Sequence, residues 1–267
     1  MDTDPREEVA IDAAERGADH ASARFRTKLD IEQKGDAIDL VTEVDRETQR
    51  RVISTIRERF PDDAVVGEEE DELKTVPESG YAWIIDPIDG TQNYTRGARE
   101  WVTSVAVVKD QTPIAAVNVS PETRDTYIAT EEGVERNGRP ITVNDESNTS
   151  AFLVSSTLRY QDGDRPGIER LAGDIFGTFG EMRKLGTTQL TLSRLADGSI
   201  DAVVGLDEQP NAWDTVAGVY LVERAGGTVT DLHGNRWGPG QPGLVASNGH
   251  AHDEVLEAAQ AAFEATR

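Results

Sequence analysis

The sequence predicts an α+β protein built around an antiparallel sheet, with helices near both ends of the chain. Three observations indicate this class. Apolar residues recur at helical spacing near the two ends, short apolar runs separated by turn residues fill the stretch 64–130, and strand and helix patterns alternate after about residue 150. With 267 residues, 37% of them hydrophobic, the chain is long enough for one large domain or two joined lobes.

The first part of the chain predicts two helices and a polar connection between them. The connection, 28–40, is expected to be a loop or a hairpin. The second helix spans about 46–59 and ends at Phe60-Pro61, because a residue that precedes proline avoids the helical region. The opening helix spans about 5–27, with small and apolar side chains on one face: Val9, Ala10, Ala13, Ala14, Gly17, Ala21 and Phe25.

The middle of the chain predicts an antiparallel meander of short strands. The polar run 144–150 that follows it is the expected seam between an N-terminal lobe, 1–146, and a C-terminal lobe, 147–267. Turn residues separate the five apolar runs of the meander, which are 64–67, 81–86, 101–108, 113–119 and 125–130.

The C-terminal lobe predicts alternating strands and helices. A helix at about 213–225 stops at Gly226-Gly227, since glycine is the usual residue at a helix end. Another helix is expected at about 188–197, and a third at the C-terminus. The expected strands are 151–156, 200–204, 227–231 and 243–247.

The composition excludes several kinds of site and partner. The chain has no cysteine, so disulfides, zinc–thiolate sites and thiol nucleophiles are excluded. With 4 His against 50 Asp and Glu, oxygen is the expected metal ligand, which favours Mg²⁺, Ca²⁺ or Mn²⁺. A net charge of −23 argues against nucleic-acid binding, which usually requires a basic surface.

The same charge pattern predicts the salt concentration in which the protein works. Only five residues are lysine, and an acidic, lysine-poor surface is typical of a halophilic protein, because concentrated salt screens the self-repulsion. No apolar run approaches the roughly 20 residues of a membrane-spanning helix, so we expect no membrane partner. The N-terminus is acidic where a secretory signal would be basic, so we expect a cytoplasmic protein.

Acidic residues stand at the ends of several apolar runs, and the segment IIDPIDGT at 84–91 is the most informative. Asp86 is expected to end a strand, Pro87 to force a turn, and Asp89 to lie within reach of the same metal. Two carboxylates that close repel and raise each other's pKa unless a cation lies between them. Gly90 would let backbone amides at a helix start approach a phosphate. A metal site beside an anion site suits phosphoryl hydrolysis.

Four motifs in this order and spacing resemble the inositol monophosphatase family of lithium-sensitive metal phosphatases. The resemblance extends from Lys34 to about Gly234. It implies the layered α/β/α/β/α sandwich of these sugar phosphatases, a homodimer, and a Mg²⁺-dependent phosphomonoesterase. Such an enzyme hydrolyses inositol-1-phosphate-type and related sugar phosphates by metal-activated water. The motifs are LVTEVD (40–45), GEE (67–69), WIIDPIDGTQNY (83–94), and Trp213-Asp214 followed by Ala217-Gly218 and Ala225-Gly226-Gly227.

The resemblance implies a metal-ligand set. Glu68, Asp86 and Asp89 would be ligands, together with the carbonyl oxygen of Ile88. Asp214 would bind a second metal with the two other aspartates. The four carboxylates and a phosphate dianion sum to about −6, which three divalent cations neutralise, so two or three Mg²⁺ are expected per active site.

The resemblance also implies catalytic residues beside the metals. Thr91, paired with Asp45, would orient the attacking water, and Glu68 would take part in catalysis as well as in metal binding. Lys34 would lie beside a more weakly held third metal.

Substrate contacts are expected from two backbone segments and one acid. Gly90 and Thr91 would bind the phosphate through their amides. Asp207, or its neighbour Glu208, would accept hydrogen bonds from sugar hydroxyls. Further phosphate contacts are expected at the helix start formed by Gly186, Thr187 and Thr188.

Two alternatives stay open. Within the family, fructose-1,6-bisphosphatase could be the main activity. As a non-enzymatic alternative, the fold could serve as a regulatory protein-binding module, although an intact set of four convergent acids argues against that function.

Overall fold

The computed structural model of the chain describes residues 4–29, 31–33, 40–157 and 165–266. None of the helices within these ranges is long and apolar enough to cross a membrane.

Two helices and a small hairpin form the first part of the molecule. The predicted polar connection contains the antiparallel pair β1 (Ile31–Gln33) and β2 (Leu40–Thr42). Helix α1 is Pro5–Arg24, and α2 is Glu43–Arg57. Helix α2 begins ahead of the predicted residue 46, because Thr42 and Asp45 form a capping box that starts the helix at Glu43.

A seven-stranded sheet follows, and it corrects one part of the predicted meander. Strand β3 (Ala64–Gly67) runs parallel to β4 (Tyr81–Asp89), because the connection 68–80 crosses back before β4 begins. The neighbours that follow are antiparallel, as predicted, and lie in sequence order. They are β5 (Val102–Lys109), β6 (Thr112–Ser120), β7 (Asp125–Thr130), β8 (Gly133–Arg136) and β9 (Arg139–Pro140).

A five-stranded mixed sheet forms the second half, with strand order β11-β10-β12-β14-β13. Its strands are β10 (Leu153–Ser156), β11 (Glu181–Arg183), β12 (Ala202–Gly205), β13 (Thr228–Thr230) and β14 (Leu244–Ser247). The remaining helices are α3 (Thr91–Thr95) in the first half, and α4 (Arg165–Thr178), α5 (Thr188–Ala196), α6 (Ala212–Arg224) and α7 (His252–Ala265) in the second.

Helix α4 and strand β11 were not predicted. Pro166 and three glycines lower the helix propensity of the α4 sequence. Packing overrides that propensity, because the buried side chains of Leu171 and Ile175 join the core formed with Ala259 and Phe263 of α7.

The elements stack in five layers, which confirms the predicted α/β/α/β/α sandwich. Helices α1 and α2 cover one face of the seven-stranded sheet, and α4 and α7 cover the outer face of the five-stranded sheet. Helices α5 and α6 lie between the two sheets in one apolar cluster that includes Ile84, Leu192, Leu221 and Ala246. The sheets lie on either side of residue 146 but share this core, so the division into two lobes stays a prediction.

Candidate active site

A bulge near the end of β4 brings two aspartates to one side of the sheet. Asp86 pairs with Ser104 of β5, and Asp89 pairs with Val102. The chain therefore advances three residues along β4 where it advances only two along β5, so β4 contains one extra residue. In a regular strand, residues three apart point to opposite faces, and one extra residue restores the same face. The expectation that the strand ends at Asp86 was therefore wrong: β4 continues through Pro87, which is tolerated at a bulge because it lacks an N–H.

A third aspartate reaches the same point from α6. Asp214 lies in the first turn of that helix, and its Oδ2 accepts a hydrogen bond from Asn211 Nδ2 at 2.9 Å. One carboxylate oxygen each of Asp86, Asp89 and Asp214 lie within 4.8 Å of one another. The side chains of Asp86 and Asp89 are buried, at 1% and 4% exposure.

The carboxylates of this cluster repel one another, and the repulsion affects the pKa of Asp86. Burial, followed by the negative charges of Glu68, Asp89 and Asp214, raises the pKa of Asp86 well above its ordinary range. A hydrogen bond between the side chains of Asp86 and Glu68 acts in the same direction. All four acids predicted as metal ligands therefore converge here. A buried set of oxygen donors that repel one another fits Mg²⁺ well, since a hard divalent cation would neutralise the repulsion.

Two residues that were not predicted hold the segment that carries Glu68. Gln49 of α2 clamps the next residue: its Nε2 donates to the carbonyl oxygen of Glu69 at 2.6 Å, and its Oε1 accepts from the Glu69 amide at 2.9 Å. Lys74 Nζ donates to the carbonyl oxygens of Gly67 at 2.8 Å and Glu68 at 3.1 Å. The signal in the sequence for these hydrogen bonds was a polar residue, Gln49, on the buried face of α2.

Thr91 and Asp45 lie together, as the resemblance implied. Thr91 Oγ1 is 3.2 Å from Asp45 Oδ1 and 3.1 Å from the carbonyl oxygen of Ile88. The other carboxylate oxygen of the buried Asp45 accepts from the backbone N and the hydroxyl of Thr42, at 2.8 and 2.5 Å. Gly90, before Thr91, has φ +98°, and a Cβ there would lie 2.9 Å from the carbonyl oxygen of Glu100. This bend requires glycine.

The start of α5 contacts Asp89. Thr187 Oγ1 donates to Asp89 Oδ2 at 2.5 Å, the Gln189 amide to the same oxygen at 2.6 Å, and the Thr188 amide to Oδ1 at 3.3 Å. The positive end of the helix thus stabilises this carboxylate. Gly186, with φ +76°, precedes these donors. The substrate contacts expected from Gly186, Thr187 and Thr188 stay a prediction, and Gln189 was missed.

Asp207 lies beside the acid cluster in a shared pocket. The lining of this pocket includes Asp207, Asp214, Thr188 and Thr157. Asp207 is exposed, and its backbone carbonyl oxygen accepts from the Gly243 amide at 2.7 Å, which fixes the loop. Lys34 lies outside the described residues.

Comparisons with known proteins find relatives along nearly the whole chain. The model of the inositol monophosphatase family matches residues 2–264. A fructose-1,6-bisphosphatase/inositol-1-monophosphatase of Aquifex aeolicus is 33% identical over 261 residues, which cover 96% of both chains. A Nus factor SuhB of Pseudomonas aeruginosa is 29% identical over 265 residues and 96% of both chains.

A solved structure has the same fold. The IMPase of Thermotoga maritima superposes with a TM-score of 0.88 at 30% identity, over 98% of this chain and 100% of that one. The predicted fold is thereby confirmed, and so is the prediction of a phosphatase. The chain belongs to the inositol monophosphatase family.

Proposed function

We propose that this phosphatase hydrolyses inositol-1-phosphate-type substrates with two or three Mg²⁺ held by Glu68, Asp86, Asp89 and Asp214. The observation that carries the proposal is the convergence of three aspartate oxygens within 4.8 Å in a buried setting, with Glu68 hydrogen-bonded to Asp86. Such a cluster is costly without cations, so a purely structural role is a poor explanation for it.

The proposed metals have only oxygen ligands. The carbonyl oxygen of Ile88 adds a neutral donor to the four carboxylates, and it lies near Thr91. When bound, Mg²⁺ would supply water activation and charge stabilisation at the leaving oxygen.

Thr91 and Asp45 are proposed to orient the attacking water. The Thr91 hydroxyl donates to Asp45 Oδ1, which leaves its lone pairs to accept a hydrogen bond from water. Two bonds from Thr42 hold the carboxylate of Asp45, so the Thr91 hydroxyl has a fixed partner. No phosphoenzyme is required.

The substrate is proposed to lie between the acid cluster and Asp207. The phosphate would contact the amides of Gly90 and Thr91 and the α5 start at Gly186, Thr187 and Thr188. Asp207 would accept hydrogen bonds from the hydroxyls of the ring, since it lines the same pocket as Asp214. The Aquifex relative, named for both activities, supports fructose 1,6-bisphosphate as a second substrate.

Phosphate release with and without Mg²⁺ tests the proposal. We expect Mg²⁺-dependent turnover of myo-inositol 1-phosphate, lower turnover of fructose 1,6-bisphosphate, and loss of both in the presence of EDTA. A faster reaction with fructose 1,6-bisphosphate would make that compound the main substrate. Absence of Mg²⁺-dependent release from any phosphate monoester would favour the regulatory function that the Nus factor relative bears in its name.

We also propose a homodimer in a salt-rich cytoplasm. The dimer rests on the family resemblance. The halophilic character rests on the net charge of −23. The melting temperature should therefore rise between low and molar KCl, where the Debye length falls to about 3 Å. A flat or falling melting temperature would contradict the halophilic assignment, and light scattering would test the dimer.

A further inference from the structure

Gln189 connects the two segments that carry the metal-binding acids. It is the second residue of α5 and is fully buried, with 0% exposure. Its amide donates to Asp89 Oδ2 at 2.6 Å, and its side-chain Nε2 donates to the carbonyl oxygen of Trp213 at 2.6 Å. Trp213 directly precedes Asp214, so one residue joins the end of β4 to the start of α6.

The acceptor atom of the same side chain is engaged as well. Gln189 Oε1 accepts from the Gly218 amide of α6 at 2.7 Å and from Asn118 Nδ2 of β6 at 3.2 Å. A Cβ at Gly218 would lie 2.9 Å from this oxygen and 2.6 Å from Leu192, so the glycine permits the close approach of α5 and α6. With donor and acceptor both used, the side chain is fixed in one orientation.

We propose that Gln189 is a positioning residue of the metal site, which sets the distance between the carboxylates of Asp89 and Asp214. The inference rests on the proposed function, because it assumes that these acids bind Mg²⁺. The hydrogen bonds of this fully buried side chain resist displacement, since breaking them leaves its polar atoms unpaired in the core. Without the link from Gln189 to Trp213, the start of α6 is free to shift relative to Asp89, and the acids hold the metal less well.

The test is Gln189→Met, which keeps the length and approximate volume but removes the donor and the strong acceptor. Mg²⁺ binding to the metal-free variant is measured by calorimetry, without substrate. We expect the dissociation constant to rise about 10-fold or more, as is usual when an outer partner of a metal ligand is lost. In phosphate release, saturating Mg²⁺ should restore most of kcat, and the KM for substrate should stay near the wild-type value.

A matched control is Gln260→Met. Gln260 also donates its Nε2 to a backbone carbonyl, that of Leu232 at 2.9 Å, but it lies on α7. The Gln260→Met variant should therefore have the Mg²⁺ affinity of the wild type. If Gln189→Met does not fold, Gln189→Asn replaces it, because this variant keeps an amide but is one methylene too short to make the bridge.

The outcomes separate this inference from the proposed function. A Gln189 variant with lower stability but wild-type Mg²⁺ affinity would show an ordinary core residue and overturn the inference. An equal loss of Mg²⁺ affinity in the Gln260 variant would overturn the inference too. A wild type that binds Mg²⁺ but releases no phosphate would contradict the proposed function alone, since the binding titration still reports on Gln189.

Discussion

Replacing Asp214 by asparagine should stabilise the metal-free protein while abolishing its Mg²⁺-dependent activity. The change removes a negative charge from the acid cluster but almost no volume. The hydrogen bond from Asn211 Nδ2 survives, because the asparagine Oδ1 can take the place of the carboxylate oxygen. The remaining effect is electrostatic.

The size of that effect follows from the geometry. The aspartate oxygens lie within 4.8 Å of one another. Two unit charges at that distance repel by about 3.5 kcal/mol at an effective dielectric constant of about 20. The raised pKa of Asp86 means that it gives up its proton less readily than an ordinary aspartate, which reduces the repulsion. Asp214 is partly buried, so solvent screens part of the remaining repulsion, and we expect a gain of about 1–2 kcal/mol.

Urea unfolding in EDTA and in saturating Mg²⁺, at one KCl concentration, measures the change in stability, and phosphate release measures the change in activity. In EDTA the variant should be the more stable protein. Mg²⁺ should stabilise the wild type strongly and the variant weakly, by mass action on the folded state. Phosphate release should fall by at least about 10²-fold.

The control is Asp62→Asn, which removes the same charge from an exposed loop residue. It should change neither the free energy of unfolding nor the rate of phosphate release appreciably. If the Asp214 variant were less stable than the wild type in EDTA, the acids would not repel as the geometry requires. Near-normal turnover would remove Asp214 from the metal site.

Three further predictions concern single side chains. Thr91→Ala should lower kcat more than it raises KM, because the hydroxyl acts on the water rather than on bound substrate; a change in KM alone would make Thr91 a binding residue. Asp207→Ala should impair inositol 1-phosphate more than p-nitrophenyl phosphate, which has no ring hydroxyls to recognise; equal losses would contradict hydroxyl recognition. His252, half-buried between Thr230 and Ser247, has a pKa lowered from 6.5 mainly by burial, so the fold holds it neutral. Its contribution to stability is therefore full above about pH 6.5 and is lost as the pH falls toward the lower folded-state pKa, at about 1.4 kcal/mol per pH unit. In urea unfolding, His252→Gln should lose less stability than the wild type over that window, and parallel pH profiles would refute this assignment.

The sequence was informative where one local pattern decides the structure. The helix end at Gly226 and the strand at 125–130 follow from turn chemistry and periodicity and agree with the structure within a few residues. The four acids were found from motifs, and the structure brings them together.

The rest depended on long-range contacts that local patterns do not encode. The parallel pairing of β3 follows from a crossover, and α4 forms because α7 covers its apolar face. The bulge between Asp86 and Asp89 is set by pairing with β5, which the segment IIDPIDGT does not reveal. Gln189 was missed because its importance comes from Trp213 and Gly218, which follow it by 24 and 29 residues.

The capping box at the start of α2 links the proposed catalytic pair, Thr91 and Asp45, to local unfolding. Asp45 closes the first turn of that helix through Thr42 and also accepts the hydrogen bond from Thr91. The ends of helices open more readily than their middles, at free energies below that of global unfolding. Whenever this turn frays, Thr91 loses its partner although the five layers stay packed. Heat should therefore inactivate the enzyme reversibly before it melts the fold.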